Sequence, residues 1–187
     1  MPSDVDIASN ALHEIGEKSI TSFDDDSDRA RLVKRFYDMT RDATLRAHPW
    51  NFAVTRRALA QESAAPIFEY DFAYALPTDP YCLRVLRTHW TPGYPWKIEG
   101  RLLLTDKDSV SILYVARITD PEKFDTLFTE AFTTRLASKL SIPVTGQTRL
   151  ALDLFTLSMN KIQEARTVDG QEGTPETVEA LFLTEIR

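Results

Sequence analysis

Two stretches near the start of the chain carry apolar residues at helical spacing. In the first, Ser3 is a candidate N-cap, Ile7 and Leu12 fall on one face, and Gly16 is a suitable residue just beyond the helix end. This pattern predicts a helix over residues 3–15. A polar loop separates it from the second stretch.

The second stretch is longer and predicts a helix over residues 28–47. Most of its charged side chains fall away from its apolar face. That face is formed by Ala30, Val33, Phe36, Tyr37, Thr40 and Ala43. Pro49 disfavours helical angles at His48, so the helix must end there. Trp50 then begins an extended segment, and we expect its side chain to be buried between this helix and the C-terminal helices.

From Phe52 to Arg117 the pattern changes from helical to alternating. Short β-leaning runs are separated by Pro, Gly and Asp, which predicts roughly five or six strands in an antiparallel meander. In the last run, alternate residues are apolar and should face a core. These residues are Val110, Ile112, Tyr114 and Ala116.

Helical periodicity returns after the β region. Asp120 is the expected N-cap and Pro121 the first residue of a third helix, which Pro143 should end. The spacing predicts a fourth helix over residues 147–167 that stops before Asp169-Gly170. The last residues are polar and then apolar, and their apolar side chains would be costly to leave in water. They therefore need a groove on this chain or on another.

Together these patterns predict an α+β fold with a four-helix core, an inserted antiparallel β-sheet region and an extended C-terminal arm. We assign residues 1–50 to the N-terminal helices, 51–118 to the β region, 119–169 to the C-terminal helix pair and 170–187 to the arm. A chain of 187 residues can bury an ordinary core, so we expect one structural domain.

Composition narrows the class of protein. Hydrophobic residues make up 43% and charged residues 27%, as is usual for globular proteins. No membrane-spanning run or signal peptide is recognisable, so we expect a soluble protein made in the cytoplasm, without a membrane partner.

Cys82 is the only cysteine, which excludes an intrachain disulfide and a Cys-based zinc cluster. A formal net charge of −6 argues against indiscriminate nucleic-acid binding.

The aspartates before the second helix are the main candidates for metal chemistry. They alternate as in a calcium loop, but the loop lacks the required glycine, and Arg35 stands where the closing glutamate belongs. The alternative is a solvated loop whose charge favours the helix N-terminus. Because no phosphate-binding loop or nucleophile motif is present, we predict no enzyme and no cofactor. A metal-dependent hydrolase that uses Asp24 and Asp28 is the least favoured function.

Three kinds of side chain suit an intermolecular interface. Arginines of the long helix can bind carboxylates, although neighbouring aspartates largely neutralise them. Aromatic side chains either pack in the core or anchor a partner, and the apolar tail needs a groove. The interface candidates are Arg29, Arg31, Arg46, Trp50, Phe52, Trp90, Tyr94, Trp96, Leu181, Phe182, Leu183 and Ile186.

Three stretches resemble a known family. The segment ALHEIGEKSITSFDDDSDRARLVKRFYDMTRDATLRAHPWNFA, residues 11–53, resembles the start of head-to-tail adaptors of the tail tubular protein A type from short-tailed bacteriophages. Shared features are a Leu-x-x-Ile-Gly-Glu turn, a variable loop, and a long helix ending in a Trp-x-Phe segment. YALPTDPYCLRVL, residues 74–86, is similar to the family's strand preceded by a Leu-Pro-x-Asp turn. Residues 120–166 are similar to its C-terminal helix pair.

The resemblance implies a virion structural protein, assembled in the host cytoplasm, with no catalytic residues. It implies a ring of about twelve copies that docks under the portal protein, extends the DNA channel and carries the tail nozzle or tail tube. About twelve chains of −6 would carry roughly −70 charges, and an acidic lumen would repel DNA rather than bind it. The candidates to face the channel are Asp24, Asp25, Asp26 and Asp28. A DNA-binding or packaging module is the alternative function.

Overall fold

The computed structural model describes residues 2–90 and 93–172 of the chain. Along these residues the elements are α1 Asp4–Glu14, α2 Asp28–Ala47, β1 Val54–Ala58, β2 Phe72–Ala75, β3 Cys82–Thr88, β4 Trp96–Glu99, β5 Leu102–Thr105, β6 Ser111–Ala116, α3 Thr126–Thr145 and α4 Thr148–Gln171. Short 3-10 turns, Asn51–Ala53 and Pro121–Lys123, precede β1 and α3. The predicted α+β fold with an inserted antiparallel β region is confirmed.

Side-chain caps begin both N-terminal helices, and the predicted cap Ser3 is confirmed. The Ser3 hydroxyl accepts a hydrogen bond from the Asp6 backbone N–H, and the Asp6 carboxylate accepts one from the Ser3 backbone N–H at 2.8 Å. Ser27 caps α2 in the same way, through the backbone N–H of Ala30. On α2 the predicted apolar face is wrong at one position, because Ala43 is exposed.

The strands of the described chain form two three-stranded antiparallel sheets. The strand order is β1-β6-β3 in one sheet and β2-β5-β4 in the other. Only β4 and β5 are neighbours in both sequence and space, joined by a turn in which Gly100 has a positive φ of 57°. The prediction of a meander is therefore wrong. Alternating polarity shows which face of a strand is buried, but it does not show which strands pair.

Two hydrophobic clusters fill the molecule and meet at β6. The first lies among the helices, where α3 packs against α1, α2 and α4. The second lies between the two sheets and includes Leu103 from one and Ile112 from the other. The predicted alternation in β6 is confirmed, since Val110, Ile112, Tyr114 and Ala116 are all buried in the second cluster. Val115, on the opposite face, is buried in the helical cluster.

The third helix begins and ends later than its sequence suggested. Asp120 caps the short 3-10 turn, whereas Asp125 caps α3 by accepting hydrogen bonds from the backbone N–H groups of Leu127 and Phe128. Pro143 lies inside the last turn, and the helix ends at Gly146 with a φ of 72°. A proline near a helix C-terminus removes a single backbone hydrogen bond, so the following turn can persist until glycine supplies the left-handed cap.

The fourth helix also extends further than expected, through Asp169 and Gly170 to Gln171. Asp169 is held by hydrogen bonds from another part of the chain, described below, which stabilises a turn that local propensity does not favour. None of the helices within residues 2–90 and 93–172 is long and apolar enough to cross a lipid bilayer.

Candidate functional site

The junction after α2 is a packing site and not an exposed surface. Trp50 is fully buried, and its Nε1 donates a hydrogen bond to the Thr44 carbonyl at 3.1 Å. Its ring centroid lies 5.2 Å from that of Phe128 in α3, while the partly buried Phe52 lies 5.0 Å from Phe128. The predicted burial of Trp50 is confirmed. Its selection as an interface residue is wrong, because its side chain has no exposed surface for a partner.

Polar contacts tie this junction to the end of α4. His48 Nε2 lies 3.1 Å from Asp169 Oδ2, and the Asn51 backbone N–H donates to Asp169 Oδ1 at 2.9 Å. The Asn51 side-chain amide donates to the Asp169 carbonyl at 2.7 Å. Burial lowers the pKa of His48 and outweighs the opposing effect of Asp169, so His48 is neutral at pH 7. Both the chain reversal at Trp50 and the last turn of α4 depend on this contact.

The acidic loop before α2 is paired with basic side chains next to it. Arg31 Nη1 lies 2.8 Å from Asp26 Oδ1 and its Nη2 lies 2.7 Å from Asp28 Oδ1. Lys34 Nζ lies 2.7 Å from Asp24 Oδ1. These groups are largely exposed, so the pairs add little stability, but each of the three carboxylates has a basic partner.

The two remaining candidates in this region have local partners. Hydrogen bonds from Thr21 lower the pKa of Asp25, and Arg29 pairs with Glu17 at 3.1 Å. Among the described residues, no group of three or more His, Cys, Asp or Glu side chains could hold a metal ion. The arrangement therefore matches the solvated loop that leads into a helix.

The aromatic candidates of the β region differ in exposure. Tyr94 is 49% exposed, and Lys107 Nζ lies 3.7 Å from the centroid of its ring. Trp90 and Trp96 are partly buried against the cluster between the sheets. Of these three candidates, Tyr94 offers the largest exposed fraction to a partner. The tail candidates Leu181, Phe182, Leu183 and Ile186 lie outside the described residues.

A cleft of about 460 Å³ brings together four arginines, and we call it the arginine cleft. Arg46 comes from α2, Arg84 from β3, Arg101 from the turn before β5, and Arg117 from the residue after β6. Sequence analysis singled out only Arg46 and Trp96 in this cleft. The other cations are far apart along the chain, and they meet only when the two sheets and α2 pack together. The apolar lining of the arginine cleft comprises Leu76, Leu83, Val85, Trp96 and Ile98.

Two of the arginines are held in place around Tyr81. The guanidinium carbons of Arg101 and Arg117 lie 4.1 Å and 4.3 Å from the centroid of the Tyr81 ring. Arg101 also donates hydrogen bonds to the carbonyls of Cys82 at 2.8 Å and Pro77 at 2.6 Å. These contacts fix the guanidinium groups, so little conformational entropy remains to be lost when the cleft binds an anion.

The positive charge of the cleft is only partly compensated. Arg117 Nη2 pairs with Asp42 Oδ2 at 2.6 Å, and Arg41 binds the other oxygen of the same carboxylate at 3.0 Å. Within residues 2–90 and 93–172, Arg46, Arg84 and Arg101 form no ion pair with a carboxylate. Arg84 Nε is buried without a hydrogen-bond partner in that part of the chain. Such a cleft suits carboxylate or phosphate oxygens.

Two groups of large apolar side chains are exposed. Ile67 and Phe68, at the tip of the loop between β1 and β2, are 99% and 78% exposed. On α4, Leu152, Phe155 and Met159 are exposed at positions i, i+3 and i+7, and therefore form one stripe on the helix. Neither group was predicted from sequence. The residues next to an apolar side chain do not show whether the rest of the chain buries it.

The lone thiol of the chain is poorly placed for nucleophilic chemistry. Cys82 lies in the cluster between the sheets, and burial raises its pKa. The thiol therefore stays protonated at neutral pH and is a weak nucleophile. The described surfaces are suited to binding. The arginine cleft suits anions, and the loop tip and the α4 stripe suit apolar groups.

Comparison with known proteins adds no assignment to these surfaces. No protein-family model matches the chain, and no curated protein matches it. The candidate sites of this protein are therefore those defined by its own residues: the arginine cleft, the Ile67–Phe68 tip and the α4 stripe.

Proposed function

We propose that the protein is a virion structural protein: a ring-forming head-to-tail adaptor that docks under the portal, extends the DNA channel and carries the tail nozzle or tail tube. The resemblance of residues 11–53, 74–86 and 120–166 to adaptors of the tail tubular protein A type supplies this function. In support, the long helix α2 ends in a buried Trp50-x-Phe52 junction.

The observation that carries the proposal is the apolar surface left exposed at two separate places. Subunits of a ring contact one another head to tail, so each needs two different complementary patches. Large adjacent apolar side chains such as Ile67 and Phe68 are unusual on a monomer and mark surfaces that bind other proteins. The α4 stripe offers a second such surface on a rigid helix. An adaptor needs further contacts to the portal above and the tail below.

The proposal is tested by mass photometry of the purified chain, alone and with a candidate portal ring. We expect a defined stack with about twelve added copies on the portal. The double variant Phe155→Asp, Met159→Asp should lose this stack, because a charge on the stripe prevents its burial. Asn160→Asp is the matched control, since it adds a charge to an exposed position of α4 outside the stripe. A wild-type chain that stays monomeric and ignores the portal overturns the proposal.

The arginine cleft favours a second candidate function, a DNA-binding or packaging module. Three guanidinium groups without a carboxylate partner in the described chain could bind phosphates, even though the whole chain is acidic. This function predicts duplex affinity that falls steeply with salt and that drops in Arg84→Glu. Arg149→Glu is the control, because Arg149 is 95% exposed on α4 and does not line the cleft. An adaptor with a repelling channel should show little duplex affinity in either variant.

A further inference from the structure

We propose that the arginine cleft is a peptide-binding site whose occupant is the C-terminal segment of this protein, residues 173–187. This inference does not depend on the ring or on a phage function. It is based on the composition of the cleft, on the composition of the segment, and on the place where the described chain ends.

The first argument is charge. Arg46, Arg84 and Arg101 lack carboxylate partners in the described chain, and the buried Nε of Arg84 lacks any hydrogen-bond partner there. A guanidinium in such a position is satisfied best by a carboxylate, which accepts two of its N–H groups at once. Residues 173–187 contain three glutamates and one arginine. The glutamates are Glu176, Glu179 and Glu185.

The second argument is the apolar lining of the cleft. Leu83 and Val85 of β3 face it together with Trp96 and Ile98 of β4, and Ile98 is 38% exposed. A free phosphate or a nucleic-acid backbone would leave this lining unused. The C-terminal segment has apolar side chains next to its carboxylates, so it can occupy both parts of the cleft. Its apolar residues are Val178, Leu181, Phe182, Leu183 and Ile186.

The C-terminal segment is also long enough to extend from Glu172 to the cleft. The described chain ends at Glu172, whose Oε2 lies 3.4 Å from the Asn51 side-chain amide. Asp169, one turn earlier, contacts His48, which lies two residues after the cleft residue Arg46. The segment therefore starts close to the end of α2 that carries Arg46. A 15-residue chain spans up to about 50 Å when extended, which is ample for a cleft on its own molecule or on an adjacent copy.

Hydrogen–deuterium exchange of the full-length chain, read by mass spectrometry, tests this proposal. We expect the amides of residues 173–187 to exchange more slowly than those of an unstructured peptide of the same sequence. Arg84→Glu should accelerate their exchange about tenfold, because it replaces an attractive charge with a repulsive one. Exchanging the charges of the two partners should restore protection. The double variants that do this are Arg84→Glu with Glu179→Arg, and Arg84→Glu with Glu176→Arg. Arg149→Glu, remote from the cleft lining, should have no effect.

Two further measurements separate the possible outcomes. Arg46→Glu changes an exposed cleft residue and keeps the test valid if Arg84→Glu fails to fold, as judged by circular dichroism. A dilution series distinguishes the source of the segment, since protection that is lost on dilution indicates a neighbouring copy and protection that persists indicates the same chain. Exchange at the unstructured rate, or protection that neither cleft variant changes, overturns the proposal.

Discussion

At the scale of single residues, Trp50 is the largest fully buried side chain of the described residues. It is fully buried, it satisfies its indole N–H with the Thr44 carbonyl, and it packs against Phe128 of α3. The proline before it ends α2 and starts the chain toward β1. Pro49 therefore ends the helix, and Trp50 fixes the junction to α3 through its packing.

The first prediction concerns this residue. Trp50→Ala should lower the free energy of unfolding by about 3–5 kcal/mol, because it removes a large buried ring and leaves a cavity. Tyr94→Ala is the control, since half of that ring is already in water, and it should lower stability by less than about 1 kcal/mol. Urea titration followed by circular dichroism measures both. Equal losses in the two variants would contradict the assigned role of Trp50.

The second prediction concerns His48 and pH. Its pKa in the folded protein lies below the ordinary value of 6.5, chiefly because burial disfavours the charged ring. The folded state then binds fewer protons than the unfolded state, so the stability from His48 is complete above pH 6.5 and is lost as pH falls below it. Melting temperatures measured between pH 8 and pH 5 should fall less in His48→Gln than in the wild type. His13→Gln, at an exposed position, should behave as the wild type does.

Residues 48–52 also show how far sequence can define a site. Pro49 is a local signal, so the end of α2 and the burial of Trp50 could be predicted. The arginine cleft could not, because its four arginines meet only when α2 and the two sheets pack against one another. Nor does local sequence show that Asp169 will bind Asn51 and His48 from the other end of the chain.

At the scale of elements, the sequence predicts the starts of α1, α2 and α4 to within one residue, whereas α3, which also has a side-chain cap, begins later than predicted. Ser3 and Ser27 bind the first backbone N–H groups of α1 and α2, and both helices begin within one residue of the prediction. The end of α3 was placed too early because Pro143 was taken as the stop, whereas Gly146 supplies it. Strand pairing could not be predicted, because β1 and β6 are separated by the other strands in sequence.

The third prediction uses two glycines of different conformation. Gly146 has a φ of 72° at the end of α3, so Gly146→Ala should lower stability by about 1 kcal/mol through backbone strain. Gly170 lies within α4 with open space around its Cα, so Gly170→Ala should raise stability by about 0.5–1 kcal/mol. Thermal unfolding of the two variants checks the signs. If both variants were stabilised, or both destabilised, the assigned conformations of the two glycines would be contradicted.

At the scale of the whole molecule, polar and apolar surfaces are separated from one another. Most of the large exposed apolar side chains of the described residues lie at the Ile67–Phe68 tip and on α4, while the arginine cleft brings four guanidinium groups together. The acidic loop before α2 carries negative charge that nearby cations largely neutralise. A molecule with several chemically distinct surfaces can contact several different partners at once, as a ring adaptor must.

The fourth prediction follows from the exposed loop tip. The double variant Ile67→Ser, Phe68→Ser should leave the free energy of unfolding within about 0.5 kcal/mol of the wild type, because these side chains are already in water. If the proposed adaptor function holds, the same variant should also add less mass to a portal ring in mass photometry than the wild type does. Leu103→Ser, in the buried cluster, is the contrasting variant and should destabilise the fold itself.

Strand β6 couples the helices to the sheets. It is the central strand of its sheet, with Val115 in the helical cluster and Tyr114 in the cluster between the sheets. Neither cluster can open without exposing one face of this strand, so helices and sheets should yield together as one cooperative unit.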